Sequence, residues 1–353
     1  MAFGVYVHVP FCLRRCDYCA FATWDDRPHL VGAYVEGLRQ EISAATPDLA
    51  RASSVFFGGG TPSLLTPVQL GAVLDLVPRT PDAEVTVECN PDTVSPEGLE
   101  GYRAAGVTRI SLGVQSMVPH VLAALGRTHD PDAVLRAAEA IRAAGFVSWN
   151  VDLIYGAVGE SLDDWRATVE RALALRPPHV SAYGLTVEAG TPLADDPSRH
   201  PDEDLQADEY LAADDALVGA GLASYEISNW AVPGHECRHN LLYWSQGDYR
   251  GFGCAAHSHA AGRRWWNVRT PERYLACLAS GQPVEAAGET LDIGQRRLEG
   301  LQLALRTRSG VPASALPADE LDDLVTPAGS RLVLTRRGRL LANEVAIRLS
   351  EPR

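Results

Sequence analysis

The chain has 353 residues, with 31 Lys plus Arg against 45 Asp plus Glu, a formal net charge of −14, an apolar share of 46% and seven cysteines. That length fits one large catalytic domain with a smaller appendage, and the acidic balance argues against a nucleic-acid backbone as ligand, leaving a small molecule or a protein as the expected partner. No run approaches the ~20 apolar residues of a membrane span, and the N-terminus lacks a basic segment and a small-residue cleavage site, so a cytoplasmic protein is expected.

From the N-terminus, short β-rich runs at Val5 to Val9, Ser54 to Phe57, Glu84 to Glu88, Arg109 to Gly113, Phe146 to Ile154 and Val180 to Leu185 predict six strands. Helical patterns lie between them at His29 to Ala45, Pro67 to Val77, Pro96 to Ala105, Pro131 to Ala144 and Ser161 to Leu175, several opened by Ser, Thr or Pro. Strand–helix alternation implies parallel pairing. Six units are fewer than a full eight, so the α/β fold expected over residues 1–190 is a partial (β/α)6 barrel. A turn-rich linker at Pro192 to Pro201 leads to a helix at Asp202 to Gly221. The stretch from Tyr225 to Trp266, dense in aromatics, His and Gly, does not read as regular structure; with the preceding helix it makes a segment over 191–285. Helices at Leu291 to Arg306 and Arg336 to Leu349, with a strand at Leu332 to Thr335, suggest a small, mainly helical, winged-helix-like domain over 286–353.

Three cysteines, Cys12, Cys16 and Cys19, form C-x3-C-x2-C just after the first strand. An odd total of cysteines with three in one loop suits metal ligation in a reducing compartment rather than a disulfide framework. Ordinary electron-transfer clusters take four cysteines; three thiolates hold three corners of a [4Fe-4S] cubane and leave one iron for an outside ligand. A zinc site with His8 as fourth ligand is the alternative. Cys89, Cys237, Cys254 and Cys277 are scattered and read as packing residues.

Four further motifs occur in order: Tyr6-Val-His-Val-Pro-Phe-Cys12, Phe56-Phe-Gly-Gly-Gly-Thr-Pro-Ser63, Gly113-Val-Gln-Ser116 and Asp152-Leu-Ile-Tyr-Gly156. Over roughly residues 3 to 270 the sequence resembles the oxygen-independent coproporphyrinogen III oxidases (HemN-like) and their HemW-type heme-chaperone relatives, all radical S-adenosylmethionine (SAM) proteins. The resemblance implies that SAM chelates the free iron and that one-electron reduction yields a 5'-deoxyadenosyl radical, with the protein supplying containment. It also implies that the loop of Gly59, Gly60 and Thr61 receives the methionyl amino group. Glu88, Gln115, Arg127 and Asp152 would hold the ribose hydroxyls and carboxylate of SAM, with Tyr6 a further contact. These positions fall at C-terminal strand ends, where parallel barrels carry their sites. Pro62 excludes a P-loop.

Two departures separate the chain from the oxidases. Phe21 occupies the position of their fourth cysteine, and the first strand starts within a few residues of Met1 where they carry an extension. In contrast, His239-Asn240-Leu-Leu-Tyr243-Trp244 matches the HNxxYW motif that the resemblance ties to heme binding. It implies His239 as axial ligand, with Cys237 competing, aromatics on the porphyrin face, and Arg238 or Arg250 near the propionates. The leading expectation is a heme chaperone that passes heme to hemoprotein acceptors such as respiratory-chain proteins, carrying [4Fe-4S], SAM and heme; a homodimer is allowed. The second is oxidative decarboxylation of coproporphyrinogen III.

Overall fold

The structure is a computed structural model that describes residues 2–317, 321 and 323–349. Its first half repeats strand and helix: β1 (Phe3–Val9), α1 (Val31–Ala45), β2 (Ala52–Gly59), α2 (Pro67–Leu74), β3 (Arg79–Cys89), α3 (Pro96–Ala104), β4 (Arg109–Gln115), α4 (Pro119–Ala124), α5 (Pro131–Ala143), β5 (Ser148–Tyr155), α6 (Leu162–Ala174) and β6 (His179–Gly184). β1 to β6 pair in sequence order, all parallel. Helix starts are set by local chemistry. Thr66 with Gln69 and Ser161 with Asp164 make reciprocal capping boxes, and Ser95 and Asp130 accept from the backbone N–H three residues on.

Within these strands the period of two sorts side chains to opposite faces. Val5, Val7, Val55, Phe57, Val85, Val87, Ile110, Leu112, Val151, Leu153, Val180 and Ala182 join the core shared with the helices. The alternate positions Tyr6, Phe56, Glu88, Arg109, Ser111, Asn150, Asp152, His179, Ser181 and Tyr183 turn inward around a cavity. The sheet therefore has an apolar outer face and a polar lumen.

After a single 3-10 turn at Pro197–Arg199 come α7 (Glu203–Gly219), β7 (Ala223–Glu226), β8 (Asn229–Ala231), α8 (Arg238–Trp244), β9 (Asp248–Phe252), β10 (His257–Ala260), β11 (Arg263–Asn267), α9 (Pro271–Ala279) and β12 (Glu285–Thr290). The expectation that Tyr225 to Trp266 lacks regular structure is thus wrong. These strands are three to five residues long, too short for periodicity to register. They extend the sheet to twelve strands: β9 lies parallel to β1, β10 to β12 follow antiparallel, and β8 then β7 continue from β6. α8 packs across the N-terminal ends of β1 and β2 and floors the lumen.

β12 lies across residue 286 and belongs to the large sheet. Beyond it, α10 (Ile293–Leu305), β13 (Val311–Pro312), β14 (Val325–Ala328), β15 (Arg331–Leu334), α11 (Arg336–Leu340) and α12 (Ala342–Ala346) surround a separate core that includes Leu305, Val311, Leu332 and Val345. The single helix expected over Arg336 to Leu349 is two, broken at Leu341. Asp214 of α7, 5% exposed, ties this unit to the barrel by accepting from Arg339 Nη1 and Nη2 at 3.0 and 2.9 Å. No helix among the described residues is long and apolar enough to cross a membrane.

Candidate functional site

The loop after β1 is pinned at both ends: Cys12 N–H donates to the Trp24 carbonyl at 3.0 Å and Trp24 N–H to the Pro10 carbonyl at 2.8 Å. Arg15 braces it by donating to the Asp25 carboxylate from its backbone and to the Cys19 carbonyl from its guanidinium. Cys12, Cys16 and Cys19 are half-buried free thiols that open on one cavity of about 520 Å³. Thr23 Oγ1 lies 3.9 Å from Cys19 Sγ, and Arg127 Nη1 donates to Cys16 Sγ at 3.4 Å. Burial pushes the Cys12 thiol up to about 11, so occupancy by a thiolate-bound metal group displaces a proton.

Among the described residues no three His, Cys, Asp or Glu side chains converge on a point that a single ion could occupy. His8, the fourth ligand of the zinc alternative, is committed elsewhere: its Nε2–H donates to the Ala22 carbonyl at 2.9 Å and its Nδ1 accepts from Tyr6 OH at 3.1 Å. Burial holds its pKa at about 4. Three free thiols that open on one cavity are a donor set that fits three corners of a [4Fe-4S] cluster.

Opposite the cysteines stand the ends of β2 to β5. Gly59 has φ +111°, and a Cβ there would lie 2.4 Å from the His8 ring; at Gly60 a Cβ would sit 2.6 Å from the Phe11 carbonyl oxygen. Glycine at both positions lets the loop lie close against the cysteine segment. Gly60 N–H donates to the Val9 carbonyl and Thr61 N–H to that of Phe11, both at 2.8 Å. Gly59 N–H donates to Glu88 Oε2 at 3.0 Å. Burial first, and Asp152 second, push Glu88 up to about 8. Asp152 accepts from Ser111 Oγ and Asn150 Nδ2, both at 2.8 Å, yet burial still raises it. Gln115 sits at φ 64°, beside a register shift between β4 and β5; such a backbone costs about 1–3 kcal/mol and is characteristic of functional positions.

Arg127 reaches the same cavity from beyond α4. Its Nη2 donates to Asn90 Oδ1 at 2.8 Å and to the Gly113 carbonyl at 3.1 Å. Asn90, which also donates to Thr61 Oγ1 at 3.1 Å, was missed in the sequence. Its place directly after β3, two residues beyond Glu88, was the available signal. Gly59, Gly60, Thr61, Glu88, Gln115, Arg127, Asp152 and the three cysteines thus line one cavity.

Tyr6 does not line that mouth. With Phe56, Arg109, Asn150, His179 and Ser181 it surrounds an inner cavity of about 310 Å³ that shares Phe21, Gly59, Glu88, Ser111, Asp152 and Tyr183 with the outer one. The floor is α8, and here the structure corrects the sequence. His239, in a stretch expected to lack regular structure, lies in α8 and is 1% exposed within the floor. Its Nδ1 pairs with Ser54 Oγ and its Nε2 with Tyr243 OH, each at 2.9 Å, and its ring stacks 5.3 Å from Phe56. Burial drives its pKa down to about 3. Both ring nitrogens are occupied, so the imidazole is not presented to an iron. Cys237, also buried, points its thiol at Glu84 Oε1, 3.6 Å away. Asn240, Tyr243 and Trp244 are half-buried. Arg238 donates to the Asp82 carbonyl at 2.9 Å, and Arg250 lies 5.1 Å over the Trp265 ring.

Residues 6–172 match the Radical SAM superfamily. The chain is 44% identical to the heme chaperone HemW of Mycobacterium tuberculosis, over 97% of this chain and 93% of that protein. It is 35% identical to the heme chaperone HemW of Escherichia coli, over 97% and 96%. Among solved structures, coproporphyrinogen III oxidase (HemN) of Escherichia coli superposes with a TM-score of 0.85 at 23% identity, over 98% of this chain and 89% of that one. That likeness concerns the fold.

Proposed function

The chain belongs to the HemW heme-chaperone family of radical SAM proteins, and from that premise we propose that it binds heme and hands it to hemoprotein acceptors. The observation that carries this is identity of 44% with a heme chaperone over nearly the full length of both chains. Cys12, Cys16 and Cys19 would hold the [4Fe-4S] cluster. Gly59, Gly60, Thr61, Glu88, Gln115, Arg127 and Asp152 would hold SAM in the outer cavity, with Tyr6 behind them. When bound, the cluster supplies an open iron position and a single electron. The protein's own part is to fix the loop and to supply hydrogen-bond partners for hydroxyls and a carboxylate.

For heme, α8 supplies the proposed contacts: His239, Asn240, Tyr243 and Trp244. Coordination by His239 requires its bonds to Ser54 and Tyr243 to be given up, whereas the half-buried Asn240, Tyr243 and Trp244 are part-way open. The terminal helices and antiparallel strands after Thr290 fit a winged-helix-like cap, and a cytoplasmic homodimer serving respiratory-chain hemoproteins is part of the same proposal. Phe21 at the position of the oxidases' fourth cysteine supports the chaperone over decarboxylation. The test is heme titration of anaerobically reconstituted protein followed by transfer to an apo-hemoprotein, with coproporphyrinogen III incubated in parallel. Saturable heme binding with transfer and no protoporphyrinogen IX is expected; turnover without heme binding would reverse the assignment.

A further inference from the structure

The inner cavity contains a cation that the cluster and SAM assignments leave unused. Arg109, at the start of β4, is 2% exposed and lines the cavity. Its Nε and Nη2 are buried and find no hydrogen-bond partner among the described residues. A guanidinium cannot shed its proton to escape burial, and buried donors left without an acceptor are costly. Glu84 and Asp152 are near enough to act on Arg109 through their charge, but neither accepts from its Nε or Nη2: Glu84 accepts from the Cys237 thiol and the His239 N–H, and Asp152 accepts from Ser111 and Asn150.

We propose that the inner cavity is a binding site for a small carboxylate, anchored side-on by Arg109. Nε and Nη2 are the two guanidinium nitrogens whose hydrogens point the same way, spaced to meet both oxygens of one carboxylate. Ser181, two strands away in the same lining, carries a hydroxyl that donates to Asn150 Oδ1 at 3.2 Å, while Phe56 and the rings of Tyr6 and Tyr183 offer surface to a short carbon chain. A carboxylate brings one further negative charge to a lining that already holds Glu88 and Asp152, where a phosphate dianion would bring two. At about 310 Å³ the space lies at the lower end of small-molecule sites, which run from roughly 300 to 1,000 Å³. It opens toward the residues assigned to SAM, so a ligand held there lies directly beneath them.

The experiment is equilibrium dialysis of the cluster-loaded, full-length protein against labelled propionate, with propionamide as uncharged match. One saturable propionate per chain is expected, with propionamide competing at least tenfold more weakly and Arg109→Gln lowering affinity at least tenfold. Arg109→Lys keeps the charge but loses the fork and should also weaken binding, which keeps the test usable if the Gln variant fails to fold. Displacement of propionate by excess heme would identify a heme propionate as the carboxylate source, and simultaneous binding of both a free one; either result supports the site. Absence of saturable uptake, or equal uptake by wild type and both variants, would overturn it and leave Arg109 solvated by water. Heme binding is measured separately, so this outcome leaves the chaperone assignment standing.

Discussion

Burial of His239 makes the floor of the barrel sensitive to acid in a way that one substitution should expose. The imidazole is held down at about 3, against roughly 6.5 in an unfolded chain. Because the folded value lies below the unfolded one, the unfolded state takes up the proton first. The stabilisation is fully present above about pH 6.5 and is lost as pH falls toward 3. Between pH 7 and pH 5 this single group should cost about 2 kcal/mol of stability. His239→Gln retains a donor and an acceptor within reach of Ser54 and Tyr243 but cannot titrate. The variant should lose about 1–3 kcal/mol at pH 7 from poorer geometry, yet fall about 2 kcal/mol less than wild type between pH 7 and pH 5. His8 and His179, also held down by burial, titrate alike in both proteins and cancel in the difference. Anaerobic urea melts of cluster-loaded wild type and variant at the two pH values measure it. Parallel losses would mean that the native imidazole is open to protons, and would refute the closed floor.

Replacing Cys12, Cys16 or Cys19 with Ser should each remove cluster iron and its visible absorption, while Cys89→Ser and Cys277→Ser should retain both, measured by iron content after anaerobic reconstitution. Arg127→Lys should keep the cluster but weaken SAM binding by roughly tenfold to a hundredfold, the equivalent of about 1.5–3 kcal/mol for a charged hydrogen-bond set, as read by calorimetric titration. Unchanged affinity would confine Arg127 to bracing Asn90 and Cys16. In Gly60→Ala the new methyl would press on two backbone carbonyls, those of Phe11 at 2.6 Å and Val9 at 2.8 Å; neither can swing away as a side chain could. Loss of cluster incorporation with a melting temperature lowered by several degrees is expected, and a normally loaded variant would show that the close approach is not required.

The upper end of the barrel was legible because its chemistry is local. Three cysteines in one loop, three glycines after a strand and single polar residues at strand ends are each visible within a few positions, and the fold only had to bring them together. Asn90 was legible in principle, but a lone amide beside a proline has no spacing to mark it. The floor was not legible. The segment that builds it pairs strands far apart in sequence: β9 joins β1, and β8 joins β6. A histidine among aromatics looks the same whether those rings will enclose a ligand or one another. Only the partners Ser54 and Glu84, neighbours across β2 and β3 and distant in sequence, decide that His239 is packed inward.

Arg109 marks the boundary between these two cases. In sequence it is one arginine before an apolar run, indistinguishable from a surface charge at a strand start. Yet the alternation that sends Ile110, Leu112 and Val114 to the helices also commits positions 109, 111 and 113 to the lumen. The same parity holds along β5, where Trp149, Val151 and Leu153 pack outward and Asn150 and Asp152 turn in. A lumen lined by amides, hydroxyls, acids and one guanidinium is expensive to build when leucines would fill it. A polar lining of that kind is consistent with a cavity kept for a ligand, and it places the burden of any chemistry on what the outer cavity delivers to the inner one. Phe21, Gly59, Glu88, Ser111, Asp152 and Tyr183 line both spaces, so a group bound across the strand ends would meet whatever Arg109 holds through that shared wall, without passing through solvent.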